Sequence, residues 1–381
     1  MPFLYKLDSP STRTPSTRAR ALDRETTTDE RTAVGLLRLR EKLAEQVPKR
    51  TINETLLLAT WNIRDFDNAK YGFRSDESMY YIAEILSHFD LVAVQEVNAD
   101  LKALNRLTAI LGDWWKVLIT DVTAGAAGNR ERSAIIYDSR KVIFGGLAGE
   151  IVIPDKKLPD RTLQPQRQLA RTPFLCGFES GYLRFMLSTV HIYYGKSVSV
   201  DPTRLEEIEV LSQFLAKHVT DKHAWARNLV LLGDFNIFST DDETFKAIEE
   251  AGFFIPPQFR DVTSNAAGGK HFDQMAFISK AYDSDVVQNR VGTSKAGVFN
   301  FFEHVYRDDE APTYRPEMGP SYEKKSSGEL RSDREKHNYY KQWRTHQISD
   351  HFPLWLELKI DFGEEYLRRI AGTESSVASK E

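Results

Sequence analysis

Cysteine is almost absent from this chain of 381 residues, which contains Cys176 alone. This scarcity excludes an internal disulfide and a metal cage built only from thiolates. Long apolar stretches are also missing: no run of 18 apolar residues occurs, and the N-terminus lacks the apolar core of a signal peptide. We expect a cytoplasmic protein that forms no stable association with membranes.

An excess of positive charge is lacking as well. The formal net charge is −4 and the pI is about 6.2, so no overall basic field favours nonspecific binding to nucleic acid. A local basic groove remains compatible with an acidic chain. Hydrophobic residues make up 41% of the sequence and aromatic residues 11%, which is enough to build the core of one large α/β domain with two sheets.

Local composition divides the chain into four parts. Residues 1–29 are rich in Ser, Thr, Pro and Arg, which predicts a disordered arm. Apolar residues at helical spacing before Pro48 predict an amphipathic helix over 30–50. The remainder is divided into a main domain over 51–362, with a highly charged insertion at about 295–346, and a C-terminal helix and tail over 363–381.

The stretch 229–238 contains four apolar residues that run into Gly233, Asp234, Phe235 and Asn236. A short apolar run that ends in a turn signal is typical of a strand buried on both faces. On an extended segment, residues two apart point to the same side, so Asp234 and Asn236 can address one target. A carboxylate beside an amide suits attack on a phosphoryl group, although a strand followed by an Asx turn explains these residues equally well.

Polar and ionisable residues recur at the ends of other predicted strands. The full set comprises Asn62, Glu96, His191, Asp234, Asn236, Asp273, Asp350 and His351. Because an unpaired charge is costly to bury, we expect these residues to collect at one exposed rim of the sheets. Oxygen ligands without cysteine favour a hard cation, Mg²⁺ or Mn²⁺, for which Glu96 is the first candidate ligand and Asn62 the second.

Six motifs in this order resemble the endonuclease/exonuclease/phosphatase superfamily, which contains deoxyribonuclease I-like phosphoesterases. They span residues 55–360 and are Thr60-Trp-Asn-Ile63, Val94-Gln-Glu-Val97, Val190-His191, Gly233-Asp-Phe-Asn236, Phe272-Asp-Gln274 and Ser349-Asp-His351. The Gly-Asp-Phe-Asn and Ser-Asp-His motifs are quite specific, whereas Gln-Glu alone is weak. The resemblance implies an α/β fold: a four-layer α/β/β/α sandwich of two packed mixed β-sheets, with the site at one end of both sheets.

The same resemblance implies roles for individual residues. Glu96 would bind the divalent metal with the help of Asn62, and Asp350 would bind or orient a metal. Asp234 would orient or deprotonate the attacking water, and Asn236 would hold a phosphate oxygen. These roles amount to metal-assisted attack of water on phosphorus.

Two histidines complete the implied site. His351, paired with Asp273, would act on the phosphate or as an acid–base group, and His191 matches a histidine of deoxyribonuclease-like and lipid-directed members. A carboxylate partner keeps the imidazole oriented and favours its charged form. Which histidine is the acid and which is the base stays open. Arg64 and His191 stand where abasic-site endonucleases carry an acid and a tyrosine, which argues against abasic-site repair.

The implied activity is that of a divalent-metal-dependent phosphodiester hydrolase, and we expect a DNA endonuclease or exonuclease. Arg132, Arg167 and Arg171 are the candidates for holding the strand. Two alternatives stay open: a phosphoesterase that acts on phospholipids or inositol phosphates, and a catalytically inactive binding module of the same fold. Nucleic acid, with DNA favoured, is the expected partner, and no obligate protein partner is inferred.

The insertion carries a group of aromatic and basic side chains ahead of the Ser-Asp-His motif. They are Tyr339, Tyr340, Trp343 and Arg344. In one interpretation they form a lid or wall that stacks on bases and contacts phosphate. In the other, which we favour, they belong to a packed structural helix around 329–344.

Overall fold

The computed structural model describes residues 2, 4, 19–66, 73–123, 128–280, 291 and 294–372. Its strands are β1 (Thr55–Phe66), β2 (Leu91–Val97), β3 (Trp115–Ile119), β4 (Arg132–Asp138), β5 (Ile143–Glu150), β6 (Lys156–Lys157), β7 (Leu163–Gln164), β8 (Phe174–Ser180), β9 (Leu183–His191), β10 (Asn228–Asp234), β11 (Asp273–Ser279), β12 (Ala296–Val298) and β13 (Leu354–Lys359). Its α-helices are α1 (Ala19–Gln46), α2 (Asp76–Ser87), α3 (Lys102–Leu111), α4 (Pro202–Thr220), α5 (Glu243–Glu250), α6 (Arg315–Met318), α7 (Pro320–Glu323), α8 (Asp333–Gln347) and α9 (Gly363–Ile370). Short 3-10 turns lie at Pro257–Phe259, Phe301–Glu303 and Asp308–Glu310.

The strands form two mixed sheets. The first has the order β12-β13-β1-β2-β4-β3, and the second has the order β11-β10-β9-β8-β5. Each sheet contains one parallel pair, β1 with β2 and β9 with β10. The other neighbouring strands of both sheets run antiparallel. Because the carboxyl ends of parallel strands meet at one edge, each parallel pair presents its last residues together.

Helices cover the outer face of each sheet. Helices α1, α2 and α3 pack together outside the first sheet, and α4 and α5 pack together outside the second. The inner faces contact each other through β1, β2 and β4 on one side and β9, β10 and β11 on the other. This arrangement confirms the predicted four-layer α/β/β/α sandwich. None of the helices in the described ranges has both the length and the apolar character required to cross a bilayer.

The apolar run of strand β1 is continuous because both faces of the strand are buried. Leu56 and Leu58 belong to the core between the two sheets, whereas Leu57, Ala59 and Trp61 belong to the core beneath the helices of the first sheet. Successive side chains of a strand point to opposite faces, so a strand covered on both sides needs apolar residues at every position. The run ends where the strand reaches the edge of the sandwich.

Helix α1 packs against α2. The apolar residues whose spacing predicted an amphipathic helix are all buried: Leu36, Leu39, Leu43 and Val47. Arg40 of α1 also pairs with Glu84 of α2 at 2.8 Å. The helix begins at Ala19, which corrects the predicted start at 30. Residues 1, 3 and 5–18 of the predicted arm lie outside the described residues.

Helix α4 connects the parallel strands β9 and β10. Asp201 caps the helix by accepting the backbone N–H of Thr203 at 3.0 Å, and Pro202 occupies the first position, as their order in the sequence predicts. Arg204 is fully buried and donates to the backbone oxygen of Tyr194 at 2.8 Å, which ties the segment after β9 to the helix. The crossover thus fixes the carboxyl ends of β9 and β10 side by side.

The insertion is packed into the protein, and its helix around 329–344 is observed as α8. Tyr340 and Trp343 are buried in the core beneath α1 and α2, and Tyr339 packs partly buried against the same core. Arg344 is also buried and donates to the backbone oxygen of Tyr306 at 2.8 Å. These side chains are structural, so the interpretation as a base-stacking lid is wrong.

Candidate active site

Strand register brings three of the predicted site residues together at one edge of the second sheet. Asp234, the last residue of β10, lies opposite His191 of β9 and opposite Asp273 of β11. Gly233 permits this close approach, because its φ is +141° and an added Cβ would lie 2.1 Å from the backbone oxygen of Val190. The glycine therefore lets a carboxylate emerge where three strands are closely paired.

His351 reaches the same place from the first sheet. It lies just before β13, and its Nδ1 is 2.8 Å from Oδ2 of Asp273. The hydroxyl of Ser264 donates to that same oxygen at 2.6 Å. The ring of Phe272 stacks on the imidazole with a centroid separation of 5.5 Å. The pairing of His351 with Asp273 that the motifs imply is thus present, and both members are held by neighbours.

His191 has a carboxylate partner of its own. Its Nδ1 lies 2.6 Å from Oε1 of Glu131, and Arg171 contacts the same carboxylate oxygen. On the other side of the ring, Nε2 of His191 lies 3.5 Å from Oδ2 of Asp234. Nε2 of His351 lies 3.9 Å from that oxygen as well. Asp234 is therefore placed between two imidazoles, each backed by a carboxylate.

The ends of β1 and β2 add an amide and another carboxylate. Nδ2 of Asn62 donates to Oε1 of Glu96 and to Oδ2 of Asp234, both at 2.9 Å. The second oxygen of Glu96 accepts the backbone N–H of Asp65 at 2.7 Å. Glu96 also has a φ of +61°, a conformation that non-glycine residues rarely adopt outside functional or tightly constrained positions. Asn62 thereby joins the parts of the site that come from the two sheets.

Several groups in this cluster could hold a cation. Oδ1 of Asn62 and Oδ1 of Asp273 are buried and have no hydrogen-bond partner within the described residues. A buried acceptor left in this state is costly unless a cation or a water satisfies it. In addition, Asp234, Asp273 and His351 each offer one ligand atom, and these atoms lie within 4.8 Å of one another. The buried cluster is consistent with a metal site, and its composition suits more than one divalent ion.

The carboxylates control the protonation of the histidines. Burial by itself would lower the pKa of His351, but Asp273 and Asp234 outweigh it and raise this pKa well above its ordinary value. Burial would likewise lower the pKa of His191, and Glu131 raises it instead. Burial would raise the pKa of Glu131, whereas His191 holds it below its usual value. Burial raises the pKa of Asp273 and His351 opposes this effect; because Asp273 and Asp234 both raise the pKa of His351, we assign the proton of the pair to His351.

Ser349 fastens the Ser-Asp-His segment to the end of β1. Its hydroxyl donates to the backbone oxygen of Asn62 at 2.6 Å and accepts the backbone N–H groups of Arg64 and His351 at 3.1 and 3.0 Å. Asp350 instead faces outward, 39% exposed, with Oδ2 3.5 Å from Nη1 of Arg64. It lies outside the buried cluster, so its predicted role at a metal stays a prediction.

Asn236 closes the Asx turn of Asp234, which was the alternative interpretation of this stretch. Its backbone N–H donates to Oδ1 of Asp234 at 2.9 Å, and its φ is +54°. Its side-chain Nδ2 donates to the backbone oxygen of Ile192 at 2.8 Å. The turn and the site coincide, because the same hydrogen bond that closes the turn also orients the Asp234 carboxylate.

A pocket of about 640 Å³ opens beside the cluster. Glu96 and His351 form part of its wall, and among its eleven described lining residues only Ala99 is apolar. Asn129 and Arg130, which precede β4, also line it. The cluster is therefore reached from solvent through a polar pocket.

The arginines predicted to hold a nucleic acid strand are placed elsewhere. Arg171 is buried against Glu131, and Nη1 of Arg132 donates to the backbone oxygen of Thr120 at 2.6 Å. Arg167 is exposed and donates to a side-chain hydroxyl of α4. None of the three lines the described pocket. For Arg171 the prediction is wrong, because a buried guanidinium paired with Glu131 is not available to a strand.

Two residues of the site were missed by reasoning from the sequence. Glu131 lies immediately before β4, just as Asp273 lies at the entrance of β11. Glu131 was missed although Asp273 was found, because it stands between Arg130 and Arg132 in a charged stretch. Ser264 lies in a loop with no apolar run beside it, and no sequence signal marks it.

No protein-family model matches this chain, and no curated protein matches it in sequence. Solved structures do match it over most of its length. A mannosyl-6-phosphatase of Bacteroides thetaiotaomicron is 15% identical, with 80% of this chain and 99% of that chain covered and a TM-score of 0.48. An endonuclease/exonuclease/phosphatase family protein of Bacteroides thetaiotaomicron is 18% identical. The match covers 81% of this chain and 98% of that chain, with a TM-score of 0.47.

A third similar structure is that of D. rerio TDP2 complexed with single strand DNA product. It is 13% identical to this chain, covers 80% of it and 98% of its own length, and has a TM-score of 0.47. One of the three structures carries the name of the superfamily that the six motifs resemble.

Proposed function

We propose that this protein hydrolyses phosphate esters with the help of a bound divalent cation. The observation that supports this most directly is the position of Asp234 between His191 and His351, at 3.5 and 3.9 Å. Each imidazole has its own carboxylate partner, Glu131 or Asp273. Phosphoryl transfer requires an oriented water and positive charge beside the phosphate, and this arrangement offers both.

The cation belongs with the oxygen ligands at the ends of β1 and β2. Glu96 supplies a carboxylate, and Asn62 supplies the buried carbonyl oxygen that lacks a hydrogen-bond partner within the described residues. Mg²⁺ and Mn²⁺ prefer such oxygen ligands and keep further positions for water and phosphate. When bound, the cation supplies positive charge to the phosphate oxygens.

Asp234 orients the attacking water. Both of its oxygens are fixed, Oδ1 by the backbone N–H of Asn236 and Oδ2 by the side chain of Asn62. The Nδ2 group of Asn236 donates one hydrogen to Ile192 and keeps its second hydrogen for a phosphate oxygen. An immobile acceptor next to a donor positions water and phosphate for in-line attack.

His351 acts as the acid. Its pKa, which burial would lower, is raised well above the ordinary value by Asp273 and Asp234, so the imidazole carries a proton at neutral pH. In that state it offsets charge on the phosphate and protonates the leaving oxygen. The pKa of His191 is also raised, against the effect of burial, and this residue adds a second positive charge.

DNA, the substrate expected from the sequence, gains no special support from the arginines. Arg132 is bonded to Thr120 and Arg171 is buried against Glu131. The arginines therefore favour neither nuclease activity nor activity on phospholipids or inositol phosphates, and the assay includes all of these substrates. Two complete histidine–carboxylate pairs support an enzyme over an inactive binding module.

The test is an assay of the full chain with Mg²⁺ or Mn²⁺ on plasmid, single-stranded DNA, RNA, phospholipid, inositol phosphates and a chromogenic phosphodiester. We expect hydrolysis of at least one ester, abolished by a chelator. Asp234→Ala and His351→Ala should each lower kcat by about 10²- to 10⁴-fold, the range typical of a positioned acid or base. His223→Ala, at an exposed position after α4, serves as the matched control.

Thermal unfolding of the three variants shows whether each still folds. Hydrolysis that survives in folded Asp234→Ala and His351→Ala would contradict the mechanism. Absence of cation-dependent hydrolysis on every ester would contradict the function itself.

A further inference from the structure

The pocket beside the cluster contains an arginine that is free to bind a ligand. Arg130 is exposed, lines the pocket and makes no hydrogen bond or ion pair with the described residues. The other arginine of the pocket, Arg64, is engaged: its Nη1 donates to Thr345 at 2.6 Å and faces Asp350 at 3.5 Å. Of the two arginines among the described lining residues, Arg130 is thus the one still available to a substrate.

An unusual turn holds Arg130 in this place. Asn129 and Arg130 have φ values of 53° and 57°, and two consecutive non-glycine residues in the left-handed region are disfavoured. The next residue is Glu131, whose backbone N–H donates to the oxygen of Gly128 at 3.3 Å and whose carboxylate contacts His191. A disfavoured turn next to an active-site carboxylate is typical of a loop kept for function.

The remaining wall of the pocket is hydrophilic and largely acidic. Its carboxylates belong to Asp65, Glu96, Asp100, Glu131 and Asp350. A nucleic acid strand requires a track of cations and aromatic faces for its bases, and an acyl chain requires an apolar groove. The described wall contains two arginines and no aromatic side chain other than the imidazole of His351. It offers instead many acceptors for hydroxyl groups.

We infer that Arg130 is a substrate-binding residue and that the pocket takes the phosphate ester of a compact, hydroxyl-rich alcohol, such as a sugar or polyol phosphate. The guanidinium of Arg130 binds phosphate oxygens through charge-assisted hydrogen bonds. Since Glu96 and Glu131 are assigned to the cation and to His191, the wall carboxylates of Asp65 and Asp100 accept hydrogen bonds from the hydroxyl groups of the alcohol. This inference rests on the phosphoesterase function proposed above.

The substrate class is tested by comparing kcat/KM of the full chain with Mg²⁺ or Mn²⁺ on five esters. They are a hexose phosphate, glycerol phosphate, bis(4-nitrophenyl) phosphate, a single-stranded oligonucleotide and phosphatidylcholine vesicles. We expect the hexose or glycerol phosphate to give the highest value. A highest value on the oligonucleotide, on the vesicles or on the aryl diester overturns the inference while leaving the phosphoesterase function intact. Failure to hydrolyse any of them overturns both.

The role of Arg130 is tested separately with the preferred polyol phosphate. Arg130→Gln should raise KM by about tenfold to a hundredfold with kcat little changed, because a charge-assisted bond to the substrate is lost. Arg130→Lys should recover part of that loss, since lysine keeps the positive charge but lacks the planar guanidinium that can donate two parallel hydrogen bonds. Arg334→Gln, an exposed arginine of α8, is the matched control. An unchanged KM in folded Arg130→Gln overturns the assignment.

Discussion

Oε1 of Glu131 lies 2.6 Å from Nδ1 of His191, in a largely buried contact that Arg171 shares. This carboxylate orients the imidazole and raises its pKa against the opposing effect of burial. We expect Glu131→Gln to lower kcat by about 10²-fold, because the imidazole loses its orientation and its charge. The measurement is kcat as a function of pH.

The sign of the pH effect follows from the direction of the shift. Without Glu131, burial and Arg171 are opposed by Asp234 alone, so the pKa of His191 falls and its positive charge is lost at a lower pH. The alkaline decline of kcat should move toward lower pH in Glu131→Gln. It should stay in place in Glu250→Gln, at an exposed position of α5. A decline at the original pH in Glu131→Gln would show that the charge of His191 does not limit the reaction.

Ser264 positions the Asp273–His351 pair. It is buried, its hydroxyl donates to Oδ2 of Asp273 at 2.6 Å, and the same hydroxyl accepts the backbone N–H of Asp273 at 3.1 Å. We expect Ser264→Ala to lower kcat by about tenfold with KM unchanged, because one hydrogen bond to the carboxylate is lost. Ser264→Thr keeps the hydroxyl and should recover most of kcat. Equal loss in both variants would indicate a packing defect at this buried position instead.

Glu96 is the carboxylate that we propose as a ligand of the cation. Its Oε1 accepts from Asn62 and its Oε2 accepts from the backbone of Asp65, so the carboxylate is already held at the site. We expect Glu96→Gln to raise the Mg²⁺ or Mn²⁺ concentration needed for half-maximal thermal stabilisation by about tenfold or more. Thermal unfolding is measured across a cation titration, which requires no turnover. Glu209→Gln, at an exposed position of α4, should leave that concentration unchanged.

The strands that carry the site could be predicted because each is an apolar run that ends in a polar residue. β1, β2 and β10 are buried on both faces and show this pattern clearly. β5 could not be predicted. It contains three glycines and is mostly exposed or half-buried at the edge of its sheet, so neither continuity nor alternation of apolar residues marks it.

Some residues of the site could likewise be predicted from the sequence and others could not. Asp234 and His351 were recognised because they flank such strands, and the pairing of His351 with Asp273 followed from the motifs. Glu131 lies between Arg130 and Arg132, where its local sequence is that of a solvated charged loop. Its contact with His191 exists only because β4 and β9 belong to sheets that pack face to face. Pairings of this kind depend on sheet packing, which local composition does not encode.

Cys176 should be inert in the folded protein. The side chain is fully buried in β8, and burial raises the pKa of its thiol to about 12. Since only the thiolate reacts readily, we expect alkylation by iodoacetamide near neutral pH to be negligible in the native state and complete in denaturant. Mass spectrometry after timed labelling gives the labelled fraction. Rapid native labelling would show that the core around β8 opens readily.

Among the glycines in the described part of the chain, Gly233 should be the one at which a methyl group costs most. Its φ is +141° and an added Cβ would lie 2.1 Å from a backbone atom, the oxygen of Val190 in the adjacent strand β9. We expect Gly233→Ala to lower the free energy of unfolding by about 3 kcal/mol or more, as measured by urea denaturation. Gly268 is the matched control, because its φ is +78° but no atom lies within 4 Å of an added Cβ. Its alanine variant should lose about 1 kcal/mol, from backbone strain alone. Equal losses would mean that strain, and not the contact between β9 and β10, requires glycine before Asp234.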